Sequence, residues 1–197
     1  LIPKLQLKTS RFGASSRMVL VTTVRFRETI EIGDPVSQAK IYEAQAADEL
    51  IFVDLEASME HRETMVDVVR KAAEEIFMPF TVGGGVRSLS DFRRLLSNGA
   101  DKVSVNTAAV ETPDLINQSS DMFGAQCVVL SIDYRRDAQG NYTVWTHGGM
   151  RDTGIDPFDW AREGEKRGAG EILLTSIDRD GLRQGLDVEL TRRVVES

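Results

Sequence analysis

The chain has 197 residues, 41% hydrophobic and 28% charged, with a formal net charge of −7; that fits one soluble domain with a buried core and disfavours nucleic-acid binding driven by bulk charge. No apolar run nears the ~20 residues of a membrane span, and Leu1–Lys8 carries no secretory signal pattern. One cysteine (Cys127) and two histidines (His61 and His147) leave no disulfide framework and no zinc site, so a reducing cytoplasm and no metal or cofactor are expected.

Apolar strand-like runs alternate with helix-like runs along the chain, the pattern of βα units around a parallel sheet. Leu1–Leu7 reads as the first strand. A loop over Thr9–Arg17 leads into Val- and Thr-rich Met18–Phe26, a β-hairpin excursion. Asp34-Pro35 opens a helix as N-cap and first helical residue. Leu50–Leu55 is the second strand, and Met65, Val66, Val69, Ala72, Ala73 and Ile76 mark the next helix. Phe80–Val82 and Lys102–Val105 are strands flanking a helix that starts at Ser88, with Asp91 three residues on, and stops at Gly99. Thr112-Pro113 opens another helix, and Cys127–Ile132 is the fifth strand. Asn141–Thr146, behind the turn Asp137–Gly140, is a second hairpin excursion. Asp156-Pro157 repeats the earlier cap, and Ile172–Ile177 is the sixth strand. Nearly continuous apolar strands imply a sheet covered on both faces.

The chain also repeats itself. Ile32-Gly33-Asp34-Pro35 with Ala39-Lys40 recurs as Ile155-Asp156-Pro157 with Ala161-Arg162. Glu49-Leu50-Ile51-Phe52 recurs as Glu171-Ile172-Leu173-Leu174, at the same offset of 122 residues (157 − 35 and 171 − 49). Six βα units with a half-repeat predict an α/β fold, a (βα)8 TIM barrel built from two half-barrel repeats. On that reading residues 1–197 form a single barrel domain that is incomplete at the C-terminus, with strands seven and eight absent. A six-unit open, doubly wound sheet is the competing architecture.

In a barrel the chemistry sits at the C-terminal strand ends. That rule selects Gln6 and Lys8, Asp54, Gly83–Gly85, Asn106-Thr107, Asp133, and Thr175–Gly181. The triple glycine lets backbone N–H groups approach an anion with no Cβ in the way; taken alone, a tight turn explains it as well. Asn106-Thr107 adds donors at the next strand end, and the two motifs together favour phosphate. Asp133 and Asp180 are the acid–base candidates, with Asp54 and Asp178 behind them. A carboxylate ending an apolar strand, as Asp133 ends Val128–Ile132, is partly desolvated, which suits proton transfer. Its structural alternative is an N-cap or a partner for Arg135 or Arg136.

At the opposite strand ends Glu49, Lys102 and Glu171 stand immediately before strands two, four and six. Alternate strands fill one side-chain layer, so these charges can form a ring at the N-terminal mouth. A structural salt-bridge belt and a functional gate both fit. His61 reads as solvated surface. His147, beside Gly148-Gly149, reads as part of a loop near the site, and Trp145 and Trp160 read as packing residues.

Several of these segments carry a resemblance. Gly33-Asp34-Pro35, Ala47–Leu50 (ADEL), Thr81–Arg87 (TVGGGVR), Ala100–Ala109 (ADKVSVNTAA), Gln126–Val129, Thr146–Gly149 and Gly168–Gly181 (GAGEILLTSIDRDG) resemble the cyclase subunit of imidazole glycerol phosphate synthase. That subunit belongs to the histidine-biosynthesis barrel family, and the resemblance covers nearly the whole chain. The related sugar-phosphate isomerase barrel shares the triple glycine and an Arg-Asp-Gly, whereas the Gln-Cys strand and the His-Gly-Gly loop are cyclase-like.

The resemblance implies an ammonia-dependent lyase and cyclase. A glutaminase subunit docks on the N-terminal mouth, and ammonia passes through the barrel centre. At the other mouth it attacks a bis-phosphorylated aminoimidazole carboxamide ribotide, yielding imidazole glycerol phosphate and an aminoimidazole carboxamide ribotide. By the same resemblance Gly84, Gly85, Asn106 and Thr107 hold one phosphate, and Asp180 and Gly181 lie toward the other. Asp54 and Thr175 belong to the substrate pocket, and Glu49, Lys102 and Glu171 to the ammonia gate. Asp133 is one of two catalytic aspartates.

The second aspartate is where the sequence departs, because Gln6 stands at its position. The internal repeat agrees: Leu5-Gln6-Leu7-Lys8 matches Ile132-Asp133-Tyr134-Arg135. An amide cannot take up a proton near neutral pH. Thr22 stands where the family has a lysine, and the Thr9–Arg17 loop is longer and differently composed; the gate arginine of the family falls just before Leu1, where the sequence starts. Three functions are therefore in play. One is a working cyclase with its chemistry redistributed around Asp133. Another is a paralogue that relays ammonia to a sugar amidotransferase in surface-polysaccharide synthesis. The third is a non-catalytic scaffold that docks a glutaminase.

Overall fold

The structure is a computed structural model that describes residues 1–12, 15–56 and 66–196. The chain divides into two compact units, Leu1–Thr22 with Thr29–Ser104, and Thr23–Glu28 with Val105–Ser197. His61 and Met65 lie outside the described residues.

The first unit begins with β1 (Lys4–Phe12), β2 (Ser15–Val24, whose last two residues belong to the second unit) and β3 (Glu28–Gly33, whose first residue does). It continues through α1 (Pro35–Ala44), β4 (Leu50–Asp54), α2 (Val66–Glu75), β5 (Phe80–Gly83), α3 (Leu89–Ser97) and β6 (Lys102–Val105). β1, β4, β5 and β6 run parallel in that order, and β2 pairs antiparallel with the outer side of β1. Strand one therefore starts later and runs further than its apolar pattern predicts. Lys8, Thr9 and Ser10 pair with Val19, Met18 and Arg17, so ladder bonds extend the strand where a loop was expected.

Helix starts follow the local chemistry. The Asp34 carboxylate accepts the Ser37 N–H at 2.8 Å with Pro35 behind it, and Ser88 caps α3 by accepting the Asp91 N–H. Inside, Leu7, Leu50, Phe52, Val69, Phe92 and Leu95 are fully buried, and Phe52 meets Phe80 edge-on at 5.8 Å. Side chains of this size contribute about 1.5–3 kcal/mol each when buried.

The second unit holds α4 (Thr107–Glu111), α5 (Asp114–Phe123), β7 (Val128–Arg136), β8 (Tyr142–Thr146), β9 (Arg151–Asp152), α6 (Pro157–Lys166), β10 (Glu171–Ser176) and α7 (Val188–Val195). β7 pairs parallel with β10 and antiparallel with β8, which pairs with β9. Two expectations change here. Thr112 makes no side-chain cap: Pro113 itself takes helical angles and α5 starts at Asp114. Strand five begins at Val128, because Cys127 closes a short 3-10 turn, and it runs to Arg136 rather than Ile132.

The half-repeat holds in three dimensions. α1 and α6 each have ten residues, begin with Pro after a capping Asp, and start and stop 122 residues apart (157 − 35 and 166 − 44). Gln6 pairs with Val53 in the first unit, and Asp133 pairs with Thr175 in the second. Val53 and Thr175 are again 122 apart (175 − 53), so Gln6 and Asp133 occupy the same rung of their own units.

Tyr134 and Tyr142 stack edge-on at 5.8 Å and bury Leu190 of α7 between their elements. Burial first, and the Asp187 charge second, push the Tyr134 phenol well above the usual tyrosine range; Tyr142 shifts the same way for the same reasons. Unfolded tyrosines ionise near pH 10. The folded state holds these protons longer, so their contribution is complete below about pH 10 and is lost as pH rises through the folded value. Urea unfolding at pH 8 and pH 11 should show a loss of stability that is smaller in a Tyr134→Phe chain.

Candidate active site

In the first unit β4 and β5 end side by side. Asp54 is 4% exposed and accepts the Glu56 N–H at 3.0 Å through Oδ1. Gly84 has φ +97, and a Cβ there would lie 2.3 Å from the Asp54 carbonyl oxygen. A Cβ at Gly83 would lie 2.1 Å from Ser104 Oγ. Close strand packing thus accounts for the first two glycines, and Gly85 continues the left-handed turn at φ +69. Gly84→Ala should cost about 2–4 kcal/mol, read as a lowered urea midpoint.

Gln6 is 8% exposed on β1, between buried Leu5 and Leu7. At the opposite strand ends Lys102 Nζ donates to Glu49 Oε2 at 2.8 Å, with both side chains mostly buried. β5 lies between β4 and β6, so the pair reaches over a strand, as a barrel's alternating layers do. Glu171, first residue of β10 in the second unit, is exposed.

In the second unit Asn106 Nδ2 donates to Asp133 Oδ2 at 2.7 Å. Asp133 is half-buried on β7, and Thr175, 8% exposed, lies beside it on β10. Thr107 Oγ1 accepts the His147 N–H at 3.1 Å. His147, Gly148 and Gly149 all have positive φ, and the Gly149 carbonyl accepts from Arg135 at 3.3 Å. The Arg135 guanidinium also lies 4.7 Å from the centre of the Trp145 ring and 3.8 Å from Asp178. His147 Nδ1 sits 3.1 Å from the Thr146 hydroxyl and Nε2 3.6 Å from Glu111.

Asp180 and Gly181 seat a turn. The Thr23 hydroxyl donates to Asp180 Oδ2, and the Asp180 carbonyl accepts the Arg25 N–H at 3.0 Å. A Cβ at Gly181 would lie 2.0 Å from the Thr23 carbonyl oxygen. Arg25 and Phe26 hold left-handed angles (φ +51 and +61) that cost roughly 1–2 kcal/mol each. Thr23, Thr146 and the several contacts of Arg135 are not marked in the sequence, because a lone hydroxyl or guanidinium in a β-run carries no spacing signal. Among the described residues no group of three His, Cys, Asp or Glu side chains converges to hold a metal, and no helix is long and apolar enough to cross a membrane.

The family model of histidine biosynthesis proteins matches residues 13–197, which covers most of both units. The chain belongs to that family. Histidine biosynthesis proteins of this kind are barrel enzymes, isomerases and cyclases among them, and the parallel α/β scaffold is of the (βα)-barrel type. Gln6 and Asp54 in the first unit, and Asp133 and Thr175 in the second, lie near where the parallel part of each ladder ends, the side at which (βα) barrels carry their chemistry.

Proposed function

We propose that this histidine biosynthesis protein is an ammonia-using lyase and cyclase subunit of the imidazole glycerol phosphate synthase kind. The observation that carries the reading is the mostly buried Lys102–Glu49 pair at the N-terminal strand ends. An isomerase working on one sugar phosphate needs no entrance at that end; an enzyme fed ammonia by a glutaminase partner does. Glu49, Lys102 and Glu171 are the gate residues on this reading, and the phosphate role falls to Gly84, Gly85 and Thr107, with Asp180 and Gly181 toward the second phosphate. Asp54 and Thr175 line the pocket. Asp133 moves the proton as ammonia adds, the ring closes and the ribotide leaves.

Gln6 favours a second reading. It is buried on the same rung that carries Asp133 in the other unit, and it cannot serve as an acid or base. A paralogue that passes ammonia to a sugar amidotransferase keeps the gate and dispenses with that group.

The gate is tested with Lys102→Met, assayed with a glutaminase partner and separately with ammonium salt. Product formed per glutamine hydrolysed should fall severalfold while the ammonium-driven rate stays near that of the unchanged chain. Equal losses in both assays would assign the pair to stability alone. A glutaminase that the chain fails to stimulate would remove the docking claim.

A further inference from the structure

Asn106 stands at the N-cap position of α4 but does not cap it. An asparagine there normally accepts an N–H of the first turn, worth about 0.5–2 kcal/mol. Its carboxamide instead turns toward β7, where Nδ2 donates to Asp133 Oδ2 at 2.7 Å, a charge-assisted length. The reverse orientation would press the amide oxygen against a carboxylate oxygen, two acceptors with no proton between them. An ionised Asp133 therefore fixes which way round the amide sits.

That orientation leaves Asn106 Oδ1 buried with no hydrogen-bond partner among the described residues. A buried acceptor without a donor costs about 1–3 kcal/mol. The residue thus forgoes its cap and leaves one oxygen bare while it addresses Asp133. Neither feature improves the fold; both suit a donor that arrives from outside.

We propose that Asn106 and Asp133 form a two-pronged acceptor for a small N–H donor, in which the amide both holds the carboxylate and supplies the second acceptor. The donor must offer more than one N–H, since each prong accepts. An ionised phosphate offers only acceptor oxygens, so it could take the second Nδ2 hydrogen but would be repelled by the bare Oδ1, which only an incoming donor satisfies. Ammonia has three N–H bonds and little bulk. Held through two of them, it keeps its lone pair for attack. That the donor is ammonia rests on the proposed cyclase reading; the acceptor pair itself rests on the geometry. Asn106 is then a positioning residue for Asp133 and a binding group for the nucleophile.

The test follows the Asn106 side-chain amide resonances of the isotope-labelled full chain, assigned with Asn106→Leu, as ammonium chloride replaces sodium chloride at constant ionic strength. A saturable shift, absent from an Asp133→Ala chain, is expected. No shift, or a shift that survives in Asp133→Ala, overturns the proposal. In kinetics Asn106→Leu should raise the KM for ammonium about tenfold or more, the loss of one hydrogen bond to a buried partner. Its KM for the bis-phosphorylated ribotide should stay within about twofold. The opposite split assigns Asn106 to the phosphate and overturns the proposal. Should Asn106→Leu fail to fold, Asn106→Ala removes the amide prong and its hold on Asp133 without adding bulk. A chain that shows the saturable shift but has no ammonia-dependent turnover upholds the acceptor pair and contradicts the cyclase reading instead.

Discussion

An Asp133→Asn chain should lose about 10²–10⁴ of its ammonia-dependent turnover, the usual consequence of removing a positioned acid or base. The substitution is nearly isosteric, and it keeps an oxygen that can still accept from Asn106 Nδ2. The β7 rung with Thr175 and Trp145 depends on the backbone, so it survives as well. Thermal unfolding should accordingly shift by only about 2–4 °C, equivalent to roughly 1 kcal/mol in a chain of this size. Turnover within tenfold of the unchanged chain would take Asp133 out of the chemistry. A collapse of the melting temperature alongside turnover would make it a structural residue.

Gln6→Asp should act in the opposite direction, raising turnover of the bis-phosphorylated ribotide by about 10²-fold or more by restoring a second ionisable group. Stability should fall, because Gln6 is 8% exposed between Leu5 and Leu7 and a carboxylate there must be desolvated. A cost of about 1–3 kcal/mol is expected from an incompletely satisfied polar group at such a position. The two effects are separable by assaying turnover at a temperature where both chains are folded by circular dichroism. A chain that is destabilised yet no faster would show that the pocket has diverged beyond one residue, and would favour the ammonia-relay reading. Thr22→Lys tests the companion departure on an exposed site, where little stability is at stake.

The central strands were legible because they are short apolar runs with clear ends. Lys102–Val105 is observed as expected, and Leu50–Asp54 and Phe80–Gly83 differ from expectation by one residue. Caps were legible for the same local reason: Asp34 and Asp156 accept N–H groups of their own helices, and no tertiary contact is needed to fix them. The repeat proved more informative than any single motif, since it identified Gln6 and Asp133 as equivalent positions and the ladder registers agree.

The meander strands were harder to read. Beyond Leu7 and beyond Asp133 the strands carry Lys8, Thr9 and Ser10, and Arg135 and Arg136, which look like loop residues. They remain extended because a neighbour completes their ladder, and Arg136 lies 5.1 Å from the centre of the Tyr142 ring on the opposing strand. Such pairing is a tertiary fact with no period in the sequence. The site divides along the same line. Asp54 and Gly83 could be read directly as strand ends, whereas β1 and β7 run on past Gln6 and Asp133. That Asn106 turns from its helix to Asp133, and that Asp180 is engaged by Thr23, depends on segments 27 and 157 residues apart.

The most direct measurement mixes the full chain with the bis-phosphorylated ribotide and ammonium chloride, with no glutaminase present, and follows imidazole glycerol phosphate. Product should form at a rate that rises with ammonium, falls by about 10²–10⁴ in Asp133→Asn and increases in Gln6→Asp. No product from either the unchanged chain or Gln6→Asp, both folded, would contradict the cyclase reading.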